Sequence, residues 1–241
     1  MTIRQGIERD EITTARVVRI QDLTPSLRRL TLKGEGFERF DTLSDLHVRL
    51  HLPNAGQGGA TIPATWPNLR AYTVRSVDNR AAELDIDFVL HGRAGPGTSF
   101  AIDARPGWTL GISGPFGGAV ADAGEYLFCG DETALPAIAR IFENLPADAK
   151  GRALIEIPQR SDEVSIARPR GVTLDWLHRG SARPGSALLD AYRRLETPDV
   201  SQLFVWAACE LQAYREIRDS IRTTLRLPPS RYNAMAYWRT G

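Results

Sequence analysis

The 241 residues exceed the roughly 150 that fill an average domain, so two domains of about 110 to 130 residues are expected. Basic and acidic side chains nearly cancel, 30 against 29, which leaves no chain-wide field to attract a nucleic acid or an anionic membrane. Two distant cysteines, Cys129 and Cys209, give neither a disulfide framework nor a four-thiolate cluster, and no leader-like or membrane-length apolar run occurs, so the chain reads as soluble and cytoplasmic.

The first half reads as short strands separated by turn residues. Thr14 to Ile20 is rich in β-branched residues, and Leu27 to Leu32 and His47 to Leu52 alternate; Arg70 to Val77, Leu84 to Leu90 and Trp108 to Ile112 follow. Six strands at this spacing predict a small antiparallel barrel. Asn54 to Pro67, rich in Gly and Pro, reads as a loop. Gly95-Pro96-Gly97-Thr98-Ser99 reads as a turn that opens a short helix, with Thr98 or Ser99 as its cap.

From Glu125 the texture changes, and strands alternate with helical segments. Tyr126 to Cys129, Ala153 to Ile157, Val172 to Leu177 and Leu203 to Ala208 read as strands; Ala134 to Asn144 and Ser186 to Leu195 have helical spacing. A further helix places Leu211, Tyr214, Ile217, Ile221 and Leu225 at intervals of three and four, and Tyr232 to Arg239 closes the chain as a last strand. Such alternation predicts a parallel sheet covered by helices. The domains are expected at residues 1–120 and 121–241, the bend between them falling in Gly111-Ile112-Ser113-Gly114-Pro115-Phe116-Gly117-Gly118.

Arg70-Ala71-Tyr72-Thr73-Val74-Arg75 carries the first chemistry. Alternate residues of a strand share a face, so Arg70 and Tyr72 point together; a guanidinium suits a pyrophosphate, and a phenol suits an aromatic ring system. Thr73 points the other way. An ordinary barrel strand with two surface arginines explains the hexapeptide equally well. Next stands Asp85-Ile86-Asp87-Phe88-Val89-Leu90-His91-Gly92, followed by Gly95-Pro96-Gly97-Thr98-Ser99-Phe100-Ala101, where glycines and helix-start amides suit an anion. Together, in this order, the two segments resemble the FAD-binding segments of the siderophore-interacting family within the ferredoxin-reductase-like flavoenzymes.

Three further segments extend the resemblance from Val17 to Gly241. Gly130-Asp131-Glu132-Thr133-Ala134-Leu135-Pro136-Ala137-Ile138 stands where a dinucleotide fingerprint would, and no Gly-x-Gly-x-x-Gly is present. Phe204-Val205-Trp206-Ala207-Ala208-Cys209-Glu210 resembles the family's Trp-x-Ala-Gly-Glu with Cys209 in place of Gly, and Ala236-Tyr237-Trp238-Arg239-Thr240-Gly241 resembles its closing Gly-Tyr-Trp-Arg-x-Gly. Asp131 as a plain helix cap and Cys209 as an inert buried thiol are readings that stay open beside the functional ones.

The resemblance implies a β plus α/β protein, with a six-stranded antiparallel FAD-binding barrel before a parallel-sheet NAD(P)H-binding domain. It further implies a ferric-siderophore reductase that frees iron by reducing Fe(III) to Fe(II), without catalytic acids, bases or a metal site of its own. The expected FAD contacts are Arg70, Ala71, Tyr72, Thr73, Val74, His91, Gly92, Gly95, Gly97, Thr98 and Ser99. The expected nicotinamide-nucleotide contacts are Asp131, Thr133, Ala134, Arg160 and Glu210, with Arg160 and the absence of an acid at Gln159 favouring NADPH over NADH. A ferric siderophore or other anionic ferric chelate is expected to meet Arg49, Arg239 and Trp238, although Met235 stands where the family commonly has a basic residue. A general flavin reductase, the reductase partner of an oxygenase, and a non-catalytic binder of flavin or ferric chelate are the alternatives.

Overall fold

The computed structural model describes residues 11–43, 46–54, 59, 67–90, 95–196 and 199–240, and it divides into two compact units, Met1–Ala119 and Val120–Gly241. The first unit is a closed antiparallel barrel in the order β1-β2-β5-β4-β3-β6. Its strands are β1 (Thr13–Thr24), β2 (Leu27–Lys33), β3 (His47–Leu52), β4 (Asn68–Asp78), β5 (Glu83–Val89) and β6 (Thr109–Phe116), and a helix, α1 (Pro96–Asp103), stands between the last two. Period-two patterning decides which way these strands face. Val48, Leu50 and Leu52 of β3 and Leu84, Ile86 and Phe88 of β5 all turn inward, and full burial of each such side chain stabilises the unit by about 1.5–3 kcal/mol.

One strand runs further than its sequence predicts. Gly111 to Phe116 was expected to bend out of the barrel, yet it continues β6, because Arg49 and His47 of β3 pair with Ser113 and Phe116. Ser113 is buried there, and its hydroxyl lies 2.8 Å from His51 Nε2. A cross-strand ladder with a satisfied hydroxyl outweighs the turn character of Gly114 and Pro115.

The second unit is an all-parallel sheet in the order β11-β10-β7-β8-β9. It contains β7 (Glu125–Asp131), α2 (Leu135–Phe142), β8 (Lys150–Ile157), β9 (Gly171–His178), α3 (Ser186–Arg193), β10 (Leu203–Glu210), α4 (Leu211–Thr223) and β11 (Tyr232–Trp238). Every residue of β10 is buried, as a strand covered on both faces requires. Leu127 and Cys129 of β7 pack with Leu188, Leu189, Ala213, Ile217 and Ile221 of α3 and α4, while Phe128 meets Phe142 of α2 edge-on at 5.0 Å. Among the described residues no helix is long and apolar enough to cross a membrane.

Candidate functional site

The barrel wall is interrupted at β4. Among the described residues this strand pairs with β3 through Asn68–Thr73 but with β5 only from Val74 onward, so there its first half has a ladder on one side alone. Leu69, Arg70 and Ala71 are exposed there, and Leu69, a large apolar side chain, is 44 % exposed. The start of α1 lies against this stretch, with Gly97 touching Tyr72 so closely that an added Cβ would fall 2.0 Å from the phenol oxygen. At Gly95, by contrast, a Cβ would meet nothing within 4 Å, and no side chain caps the helix. The other end of α1 is held by Arg28, which donates to the carbonyls of Ala101 and Ile102 at 3.0 and 3.2 Å while its remaining nitrogens grip Asp22. Sequence reasoning passed over Arg28, since its helix lies 73 residues away.

The expected FAD contacts fall into three groups. Arg70, Ala71 and Tyr72 lie on the first half of β4, and Gly95, Gly97 and Ser99 on the first turn of α1, which meets Tyr72 through Gly97. Tyr72 is half-buried with its ring 4.4 Å from that of Phe88; burial pushes its phenol upward in pKa, and the Arg70 guanidinium pulls the other way. Three others are buried. Val74 sits in the barrel core with its N–H donated to the Leu46 carbonyl, Thr73 is buried, and the Thr98 hydroxyl donates to the Val89 carbonyl at 3.3 Å. His91 and Gly92 lie outside the described residues, as does most of the expected Asn54–Pro67 loop.

An open strand edge, an uncapped helix start and an exposed guanidinium suit an anionic, ring-bearing ligand. The backbone groups offer hydrogen bonds along one line, and the helix start offers partial positive charge. FAD has that chemistry, a pyrophosphate and a flat heteroaromatic ring, and the residues present fit it. On the outer face of β3, Arg49 is exposed and stands 4.4 Å over the Phe116 ring.

In the second unit the expected nucleotide contacts gather at the carboxyl ends of the parallel strands, where open α/β sheets take ligands. Asp131 ends β7, Glu210 ends β10, Trp238 ends β11, and Arg160 is exposed in a short 3₁₀ turn after β8. The partners of Asp131, Glu210 and Trp238 are internal. Thr133 donates its N–H and hydroxyl to Asp131 Oδ1, at 3.0 and 2.5 Å, and the Trp238 indole donates to Oδ2 at 2.8 Å. Glu210 caps α4 through the Gln212 N–H and accepts two bonds from Thr240. Ala134, buried, packs against Gly130, where a Cβ would lie 2.7 Å from that of Ala134, so this glycine serves strand–helix packing. Arg239 is exposed beside Trp238.

Two features of this edge carry no sequence signal. Glu132 and Arg179 form a bidentate pair at 2.6 and 2.7 Å, and Arg179 also lies 3.5 Å from the fully buried Glu156. Glu156 in turn accepts the N–H groups of Gly185 and Leu188 at the start of α3. Burial raises the Glu156 carboxyl in pKa, while these N–H groups and Arg179 draw it down.

Comparison with known proteins agrees with the architecture. Residues 16–119 match the siderophore-interacting FAD-binding domain, and residues 123–241 match the siderophore-interacting protein domain. The ferric vibriobactin reductase ViuB of Vibrio cholerae is 32 % identical over 238 residues, covering 93 % of this chain and 88 % of that one. The crystal structure of the siderophore-interacting protein SipS from Aeromonas hydrophila superposes with a TM-score of 0.85 at 35 % identity, covering 97 % and 93 % of the two chains. A mutant of ferredoxin-NADP+ reductase from Plasmodium falciparum, 13 % identical with a TM-score of 0.72 and 96 % and 98 % covered, shares the fold alone. With both halves matched and a relative this similar over most of its length, the chain belongs to the siderophore-interacting protein family.

Proposed function

We propose that this protein is an FAD-dependent reductase of ferric siderophores, with FAD held by the barrel and electrons drawn from NADPH or NADH bound to the parallel-sheet unit. The observation that carries the reading is the first half of β4, where Arg70 is exposed and Tyr72 meets Gly97 of α1, in a domain of the family's FAD-binding type. Bound FAD supplies the redox chemistry, taking two electrons from a nicotinamide and passing them singly to Fe(III). Arg70 would hold the pyrophosphate, and Tyr72, wedged on Gly97, would pack against the cofactor. The Gly95 end of α1 leaves space for the phosphates to approach the backbone.

The name of the Vibrio cholerae relative supports a ferric siderophore as acceptor. Arg49, exposed on the outer face of the barrel, is the cation assigned to an anionic ferric chelate. A nicotinamide nucleotide is supported by the parallel sheet and by the exposed Arg160, which suits a 2′-phosphate and favours NADPH. Cys129 and Cys209, both buried and unpaired, accord with a cytoplasmic setting.

Three observations on the purified protein test this. It is expected to be yellow, to bleach with NADPH under argon, and to regain colour faster with a ferric siderophore than with oxygen. Absence of bleaching would leave a binding protein, and equal reoxidation rates would leave a general flavin reductase.

A further inference from the structure

The carboxylate at the end of β7 is unusually well occupied. Asp131 is 1 % exposed, and its two oxygens accept four hydrogen bonds, from Thr133 N, Thr133 Oγ1, Glu210 N and Trp238 Nε1. An ionised carboxylate has about four lone-pair sites, so none remains for a ribose hydroxyl. The donors come from three places in the chain, Thr133 just after β7, Glu210 at the end of β10 and Trp238 at the end of β11.

We infer that Asp131 is a positioning residue, which fixes the indole of Trp238 at the carboxyl edge of the sheet and thereby shapes one wall of the nicotinamide-nucleotide site. The second half of this inference rests on the proposed nucleotide site at that edge; the first half rests on the hydrogen bonds alone. Without Asp131, the Trp238 N–H and the Glu210 N–H would be left facing each other's dipoles in a buried space, and the ring would have no reason to keep its orientation.

The charges around Asp131 make the lock sensitive to pH. Facing it are Glu132 on its own loop, Glu156 in register on β8, Arg179 after β9, and Cys209 and Glu210 on β10. Burial and the neighbouring Glu132 raise the Asp131 carboxyl above its ordinary range, so it takes up a proton closer to neutrality than a surface aspartate does. A protonated Asp131 exchanges one acceptor site for a donor and loosens its hold on the indole.

Nitrogen-15 NMR of the FAD-loaded full chain tests this through the indole N–H resonances, with Trp238→Phe identifying the one that belongs to Trp238. In the wild type that resonance is expected to shift with pH, with a midpoint above about 4, the usual aspartate value. In Asp131→Asn it is expected to be displaced and to lose that pH response, because the amide donates where the carboxylate accepted. Titration with NADP+, which cannot reduce the flavin, is expected to show a Kd raised about tenfold in both variants with FAD content retained. A Trp238 resonance that does not titrate in the wild type, or that is unmoved in Asp131→Asn, overturns the lock. A displaced resonance with unchanged NADP+ affinity overturns its role in the site. If the wild type binds neither NADP+ nor NAD+, the nucleotide reading fails, and the wild-type titration still decides the lock, even should Asp131→Asn not fold.

Discussion

At Gly97 the barrel has no room for a methyl group, since the Tyr72 hydroxyl occupies the place where one would stand. Gly97→Ala is therefore expected to displace Tyr72, to cost about 1–3 kcal/mol in urea unfolding and to lower the FAD absorbance of the purified protein. Arg70→Ala and Tyr72→Ala are each expected to lower FAD occupancy through a different part of the cofactor; full yellow colour at sub-micromolar protein in both would remove them from the site. Arg49→Ala addresses the acceptor. It is expected to raise KM for an anionic ferric chelate about fivefold, as one partly exposed charge contact implies, with a weaker effect at high salt and unchanged flavin reduction by NADPH. The Arg70, Tyr72 and Gly97 group was legible in the sequence because strand alternation and a glycine before a helix each leave a local trace. Asp131 was singled out as a nucleotide contact or a cap, but its bonds to Glu210 and Trp238 were not legible, since those partners lie 79 and 107 positions along the chain.

Elements announce themselves by period and are mislaid where period and turn chemistry conflict. β3 was expected at His47 to Leu52 and is found there, its alternation undisturbed. β6 was expected to stop at Ile112 and runs to Phe116, held by a ladder to β3 that no local pattern in Gly114-Pro115 records. The ends of β7 and β10 carry buried acids of opposite character, which gives the second unit a two-sided dependence on pH. Burial raises Glu210, but N–H donors from Gln212, Thr240 and Ala213 and the Thr240 hydroxyl outweigh it and hold the group below its usual value. A lowered carboxyl contributes stability above the unfolded value of about 4.3, and the contribution disappears as pH falls through the folded value. Asp131 runs the other way. With its folded value raised, its contribution is complete below about pH 4 and is lost as pH climbs toward neutrality. Glu210→Ala is expected to destabilise the unit by about 0.5–2 kcal/mol at pH 7, as loss of a helix cap does, and by less as pH falls below about 4. Urea midpoints measured across that range check both signs.

On the scale of the whole molecule, each unit has its own buried core, and only the barrel is assigned the flavin. Added FAD is therefore expected to raise the melting temperature of the barrel transition alone, by about 2.7 kcal/mol of stabilisation at a hundred times Kd. Calorimetry of flavin-free and flavin-loaded protein would show one moving transition and one fixed. The two-unit plan was legible because strand period gives way to strand–helix alternation near Glu125, a change that survives any error at element ends. Steady-state kinetics are expected to favour NADPH over NADH modestly through Arg160, and better turnover with NADH at equal concentration would refute that assignment. The packing of α3 and α4 over β7 and β10 has a chemical corollary. Both sulfhydryls of the chain lie under those helices at 0 % exposure, and burial pushes the Cys129 thiol up to about 12 and Cys209 higher still, so neither forms thiolate at neutral pH. The chain thus presents no thiolate to an oxidant at neutral pH. A thiol reagent is expected to label neither cysteine in the native protein and both after denaturation.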